Sequence, residues 1–350
     1  MRSVCVFVVF LCVWASGPVL CKAAQEGSLP KDPAALFALA REKNGLESSD
    51  VRPWHIRGSY TFYDIKSNVG DKGVYEEWWV SAARYKRSFT GQKFTQTEYA
   101  TGGRLLRTGS QDWPSSNEML LRSSLIEPLL YDSILKEFIL KRHTKSIGKY
   151  KLDCVFFTYP VRGDQIVYDD FFPHACFDPT ILALRVTSTG GQSETTYDLV
   201  SDFQGHFIPH QLRTFGAHKL EMDFTLDLAE VIPQIPESFP DVPPDAQPVD
   251  LTSISFKSDK GAVSTARLMK RIVPNYPAEA RGRRIQGEVT LKVTIGKDGH
   301  VENLKATGGP MALQESAIDA VRQWVYRPLL VMGEPRKVEV EVNVIFQLGG

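Results

Sequence analysis

Gly287-Glu-Val-Thr-Leu-Lys-Val-Thr-Ile295 sets the reading of the chain, because Val289, Leu291, Val293 and Ile295 alternate with Glu288, Thr290, Lys292 and Thr294. That period of two marks a strand with one buried face. Gly296-Lys297-Asp298-Gly299 follows, residues that tolerate the positive φ of a tight turn, and Val301–Ala306 can return antiparallel. Leu313, Ala317, Val321 and Trp324 then recur at helical spacing, with Ile318 and Val325 widening the apolar stripe. Pro328 is expected to block continuation of this helix. Lys337–Phe346 alternates again, with Val338, Val340, Val342, Val344 and Phe346 on one face. The spacing predicts a compact ββαβ module whose helix covers a three-stranded sheet.

Pro274, Tyr276, Pro277, Ala280, Gly287, Asp298, Gly299, Ala320, Val321, Trp324, Tyr326, Pro328 and Phe346 stand in an order that resembles the TonB C-terminal domain family. The resemblance spans residues 270–348, about a quarter of the chain. It implies an envelope role in TonB-dependent transport. Members contact outer-membrane receptors and convey work from the inner-membrane ExbB/ExbD motor complex. The last strand is expected at a sheet edge, where Val338, Val340, Val342, Val344 and Phe346 would form the partner-binding ribbon by strand addition. The alternative is an ordinary edge guarded by Glu339 and Glu341. The family's anchor-helix His is missing from Val4–Leu20, and so is its long Glu-Pro/Lys-Pro spacer.

Composition fits this address. The chain has 350 residues, 43% hydrophobic and 23% charged, with a formal net charge of zero. No global field points to nucleic acid. Arg2 precedes the apolar Val4–Ala15, and small residues follow near Cys21–Ala24, so residues 1–23 read as an export signal. The expected destination is the periplasm. An uncleaved Val4–Cys21 would instead serve as an inner-membrane anchor, at the lower limit of spanning length. Cys154 and Cys176 are the two cysteines beyond this leader, a disulfide candidate in an oxidising compartment.

Asp32–Leu46 reads as a helix, with Asp32 as N-cap, Pro33 at the first position and Gly45 near its end. Short β-prone runs follow at 54–64, 73–82, 83–90, 93–99 and 103–109. Helical periodicity covers Glu118–Tyr131 and Ser133–Leu140. Strands resume at 150–159, 165–171, 181–188, 195–203, 206–214 and 219–228. The fold class expected is α+β, a β-rich antiparallel half-barrel over residues 32–230 ahead of the small C-terminal domain at 267–350. The first unit is similar in architecture to the LolA/LolB carriers. Its concave face offers Tyr75, Trp78, Trp79, Phe89, Phe94 and Tyr99 either as lining for an acyl or lipid ligand or as ordinary core. Between the domains, residues 231–266 carry Pro233, Pro236, Pro240, Pro243, Pro244 and Pro248 among acidic residues. This predicts a tether with a polyproline reach of roughly 50 Å.

No metalloprotease, phosphate-loop or nucleophile-elbow motif occurs, so no enzyme, cofactor or metal is expected. His174 near Cys176, and His206 with His210, form no convincing ligand set beside Pro209. Two functions remain open. One is a TonB-like protein that binds receptors. The other is a periplasmic lipid or lipoprotein carrier that uses the C-terminal module as a docking adaptor.

Overall fold

The computed structural model describes residues 29–64, 66–130, 132–148, 150–160, 171–190, 193–256 and 268–348. The leader at 1–23, with its signal and anchor readings, lies outside the described residues. Helix α1 (Pro33–Lys43) opens the fold, and Asp32 Oδ2 accepts from Ala35 N at 2.8 Å as its cap. It stops short of the expected Leu46. Asn44 is buried and turns away to donate to Leu182 O (2.9 Å) and accept from Leu184 N (2.8 Å).

Five strands follow: β1 (Trp54–Tyr63), β2 (Val69–Ser81), β3 (Arg84–Gly91), β4 (Thr95–Thr101) and β5 (Arg104–Gly109). Helices α2 (Ser116–Ile126) and α3 (Asp132–Leu135) intervene. Then come β6 (Ile139–Ile147), β7 (Tyr150–Thr158), β8 (Pro173–Phe177), β9 (Leu184–Thr189), β10 (Ser193–Phe203), β11 (His206–Gly216) and β12 (Lys219–Val231). With β13 (Gln247–Pro248) they form one thirteen-stranded antiparallel sheet in the order β13-β5-β4-β3-β2-β1-β12-β11-β10-β9-β8-β7-β6. That order explains the curved shape. β5 lies near one end of the sheet and β6 at the other, so residues 110–138 must cross a face, and they carry α2 across β11 and β12. Leu121, Leu125 and Ile126 of α2 are buried beneath this crossing, and the sheet curves around it.

One expectation misses here. Ser133–Leu140 is helical only to Leu135, and Ile139–Ile147 is a strand instead. It lacks apolar alternation because it is the sheet's edge and is held by β7 through nine consecutive residue pairs. The expected strand Gln165–Phe171 falls outside the described residues apart from Phe171, and β8 was not anticipated. Cys154 and Cys176 sit directly opposite each other on β7 and β8 and are joined by a disulfide.

The stretch 231–266 does not behave as an extended tether where it is described. Arg84 donates to Phe239 O (3.0 Å) and Pro236 O (3.1 Å), Pro240 is buried, and Val249 N donates to Leu105 O at 2.9 Å. Prolines lack an N–H but keep their carbonyls, so a proline-rich segment can still be pinned by donors from the sheet. Strand β14 (Ile254–Ser255) then joins the second sheet.

The C-terminal module contains β15 (Leu268–Lys270), α4 (Ala278–Gly282), β16 (Gly287–Ile295), β17 (Val301–Gly308), α5 (Met311–Val321), β18 (Val325–Tyr326), β19 (Leu329–Val331), β20 (Glu334–Arg336) and β21 (Val338–Phe346). Its main sheet runs β14-β21-β16-β17. The simple ββαβ reading is therefore extended by a β19–β20 hairpin between helix and last strand. The helix also ends at Val321, well before Pro328, so Trp324 follows it and anchors the chain by donating from Nε1 to Ile272 O at 2.8 Å. Leu313, Ala317 and Val321 cover Val289, Leu291, Val293, Val340, Val342 and Val344, all buried. Each buried Leu or Val among these contributes about 1.5–3 kcal/mol relative to exposure.

Replacing Cys154 and Cys176 together with Ala should lower unfolding stability by about 3 kcal/mol, since the bridge closes a 22-residue separation. Chemical denaturation of parent and double variant under oxidising conditions measures it, and equal midpoints would contradict the expectation.

Candidate partner-binding rim and the concave face

Strand β21 pairs with β16 through nine consecutive residues, from Val338 opposite Ile295 to Phe346 opposite Gly287. Its other side meets only the two residues of β14 among the described residues, in parallel register, and Phe256 N donates to Glu339 O at 3.2 Å. That bond fixes the geometry of the rest. If the backbone groups of Glu339 point outward, alternation sends those of Glu341, Asn343 and Ile345 outward too, while Val340, Val342 and Val344 bond to β16. Beyond Glu339 no described residue pairs with this rim. Among the described residues, the expected edge thus has a paired start and an unpaired remainder. Val338, Val340, Val342, Val344 and Phe346 are buried against the helix, so they align the ribbon, and the outward contacts belong to the alternate residues.

The signature residues hold the module's shape. Gly299 has φ +87°, and a Cβ there would come within 2.0 Å of Tyr326 O, so only glycine permits the turn to lie against β18. Tyr326 N returns a bond to Gly299 O at 2.8 Å, Asp298 Oδ1 accepts from His300 N at 3.1 Å, and Pro328 is buried beside the same turn. The Asp298 carboxyl is held below its usual range chiefly by that backbone N–H. Tyr276 donates to Ile285 O at 2.6 Å and sets its ring edge-on to Phe346 at 5.6 Å. Pro277 starts α4, Pro274 lies in the preceding extended segment, and Gly287 opens β16 under Pro310.

The concave face of the large sheet is not the aromatic trough offered by the sequence. Tyr75, Trp79 and Phe89 do turn inward, and Phe94 packs beside Phe89. Trp78 and Tyr99 occupy the opposite face, where Lys86 Nζ sits 4.9 and 6.0 Å from their rings. Between the inward aromatics runs a ladder of charge in direct cross-strand register: Glu77 on β2, Arg87 on β3, Glu98 on β4 and Arg107 on β5. Arg107 Nη2 donates to Glu98 at 2.6 Å, and Arg87 reaches Glu98 at 3.5 Å and Glu77 at 3.4 Å. Arg122 of α2 links Glu77 (3.3 Å) to Glu47. Burial raises the Glu77 pKa, but Arg122 and Arg87 outweigh it and the carboxyl titrates below its normal range. Burial dominates at Glu47, whose pKa is pushed up to about 8 against the pull of Arg122.

The C-terminal module closes this face. Pro328, Leu329 and Val331 line the same cavity as Arg87, Glu98 and Arg122, and Arg327 donates to Glu127 O. The cavity these residues share is about 100 Å³, far below the roughly 300 Å³ at which small-molecule pockets begin. The histidines singled out in the sequence are separately engaged: His206 lies 3.2 Å from Asp50 and His210 2.8 Å from Ser201.

Residues 273–348 match the family model for the Gram-negative bacterial TonB protein C-terminal. The TonB protein of Vibrio cholerae is 30% identical over 109 residues, covering 31% of this chain and 43% of that protein. The TonB protein of Escherichia coli is 33% identical over 89 residues, covering 25% and 35%. The chain thus spans less than half the length of these relatives. Among solved structures, a LolA-superfamily protein of Nitrosomonas europaea superposes with a TM-score of 0.37 at 8% identity, covering 59% of this chain and 96% of that one. A lipoprotein-sorting protein domain of Vibrio parahaemolyticus gives 0.36 at 8% identity, with 59% and 95% covered. At these scores the likeness is one of outline. No described helix is long and apolar enough to cross a membrane.

Removing Arg107 as Arg107→Leu should cost about 3–5 kcal/mol by leaving Glu98 buried with weakened pairing, and adding Glu98→Leu should recover much of that. A double-mutant cycle by denaturation decides, and additive losses would contradict the pairing. The raised Glu47 pKa gives a stability contribution that is full below about 4.5 and fades as pH rises through about 8. Glu47→Gln should therefore flatten the stability profile between those values. An unchanged slope would place the titration elsewhere.

Proposed function

We propose that this chain is a cell-envelope protein of TonB-dependent transport, exported to the periplasm, whose C-terminal module binds an extended segment of an outer-membrane receptor at the open rim of β21. The observation that carries the reading is the combination of the TonB C-terminal match over 273–348 with an outward row of backbone groups at Glu341, Asn343 and Ile345. An added strand gains affinity from main-chain hydrogen bonds, so it needs a straight partner of regular register, and β21 has no irregularity against β16. The role is one of binding, with no chemistry assigned to any residue.

Strand β14 already occupies the first positions of that rim, in parallel orientation. A receptor segment would extend from there along β21. The carrier alternative is less favoured at the cavity beside Arg87, Glu98 and Arg122, where buried charge and the inserted Pro328–Val331 segment leave about 100 Å³.

Proline at Asn343 removes one outward N–H without touching the bonds to β16, whereas proline at Val342 would break the core ladder. Asn343→Pro should weaken binding of an extended receptor-derived peptide by about tenfold or more in a calorimetric titration, with the melting temperature nearly kept. Undiminished affinity in a folded Asn343→Pro protein would rule out this rim.

A further inference from the structure

Between β1, β2 and the start of α2 lies an open cavity of about 490 Å³, within the roughly 300–1,000 Å³ of small-ligand sites. Two buried carboxyl groups share its wall. Asp71 of β2 is 7% exposed and Glu118 of α2 is 4% exposed. Asp71 Oδ1 accepts from the backbone N–H groups of Lys72 (2.9 Å), Gln92 (2.9 Å) and Lys93 (3.1 Å), and so holds the β3–β4 turn. Asp71 Oδ2 is left with no hydrogen bond among the described residues, and so is the hydroxyl of Tyr60. A Cβ on Gly91 would fall 2.4 Å from each of these two oxygens, so the glycine is what lets both acceptors come close.

A buried acceptor oxygen without a donor is costly, and the turn is already served by Oδ1. The plain alternative is a bound water on Oδ2. Water does not account for the second carboxyl. Burial raises the Glu118 carboxyl and the nearby Asp71 charge adds to the rise, while Ser115 Oγ donates to one of its oxygens. Phe62, Phe94 and Phe256 supply apolar lining, with Phe256 edge-on to Trp113 at 6.1 Å. Among the described lining residues the single cation is Lys93, which is exposed and reaches Asp71 through its backbone N–H. Paired carboxyl groups beside aromatic walls suit a positive nitrogen on an aliphatic stem, with the charge on the carboxylates and the methylenes on the rings.

We propose that this cavity takes an alkylammonium group, bound by Asp71 Oδ2 and Glu118. Such a group comes on a free diamine or on a lysine of this chain, and Lys257 and Lys260 follow Phe256 closely in the sequence. The rim of β21 plays no part in the site, because both carboxyl groups belong to the first unit.

The test is calorimetric titration of the full chain with cadaverine, with pentanediol as its uncharged counterpart, at about 0.05 M salt, where charge pairing is weakly screened. The parent should bind cadaverine and not pentanediol. D71N/E118Q, with a melt close to the parent's, should bind about a hundredfold more weakly, about tenfold for each carboxylate removed. E118Q alone should lose about tenfold, and it leaves the turn held by Asp71 untouched, so a misfolded double variant does not end the test. Cadaverine binding that appears only in K257Q/K260Q is the second supporting result, and identifies the chain's own lysine as the natural occupant. No binding by the parent or by K257Q/K260Q would overturn the proposal. So would equal binding of cadaverine and pentanediol, or undiminished cadaverine binding by a folded E118Q or D71N/E118Q protein.

Discussion

The antiparallel ladder between Gly287–Ile295 and Val338–Phe346 is the constraint on which the C-terminal module depends. A strand has one parity for its side chains and the same parity for its hydrogen bonds. Once Val340, Val342 and Val344 are committed to the core beneath α5, their amides are committed to β16, and the intervening Glu341, Asn343 and Ile345 must turn their side chains to the opposite face and their backbone groups outward. Core formation and rim formation are thus one event. A register slip of one residue would expose the valines and turn the outward row inward. The Lys292–Glu339 contact at 2.8 Å lies on the exposed face and adds little to this.

The second organising feature is the buried charge that fills the large sheet. Glu77, Arg87, Glu98 and Arg107 alternate across four neighbouring strands, so every charge has an opposite one beside it at the one register observed. Desolvating such groups is costly, and hydrophobic replacements of the same volume often match or exceed their stability. What the ladder supplies is discrimination, since any slip of one strand would place like charges or unpaired charges together in the interior. The β19–β20 hairpin region and Arg327 complete the seal, which makes the concave side a junction between the two units.

Much of this was legible in the sequence where one face is apolar. Val289 to Ile295 and Val338 to Phe346 declare their strands by alternation, and Asp32-Pro33 declares a helix start that Asp32 does cap. The TonB-like signature was readable because each of its glycines, prolines and aromatics serves a fixed local purpose, as Gly299 does against Tyr326. The ladder was hidden for a physical reason. Glu77 sits between Tyr75 and Trp79, and Arg87 between Tyr85 and Phe89, so charges occupy inward positions that alternation assigns to apolar residues. Their neutralisation depends on which strand lies beside which, and that is information about pairing. β6 was missed because neither of its faces is consistently apolar. The proline-rich segment was misjudged as free because its partners, Arg84 and the edge of β5, are distant in sequence.

Amide hydrogen exchange along β21, with and without an extended receptor-derived peptide, tests the central claim most directly. The account predicts that Glu341, Asn343 and Ile345 exchange readily in the free protein and become protected on peptide addition, while Val340, Val342 and Val344 are protected throughout. Protection of the odd-numbered amides before any peptide is added, or peptide-induced protection confined to another part of the module, would contradict it.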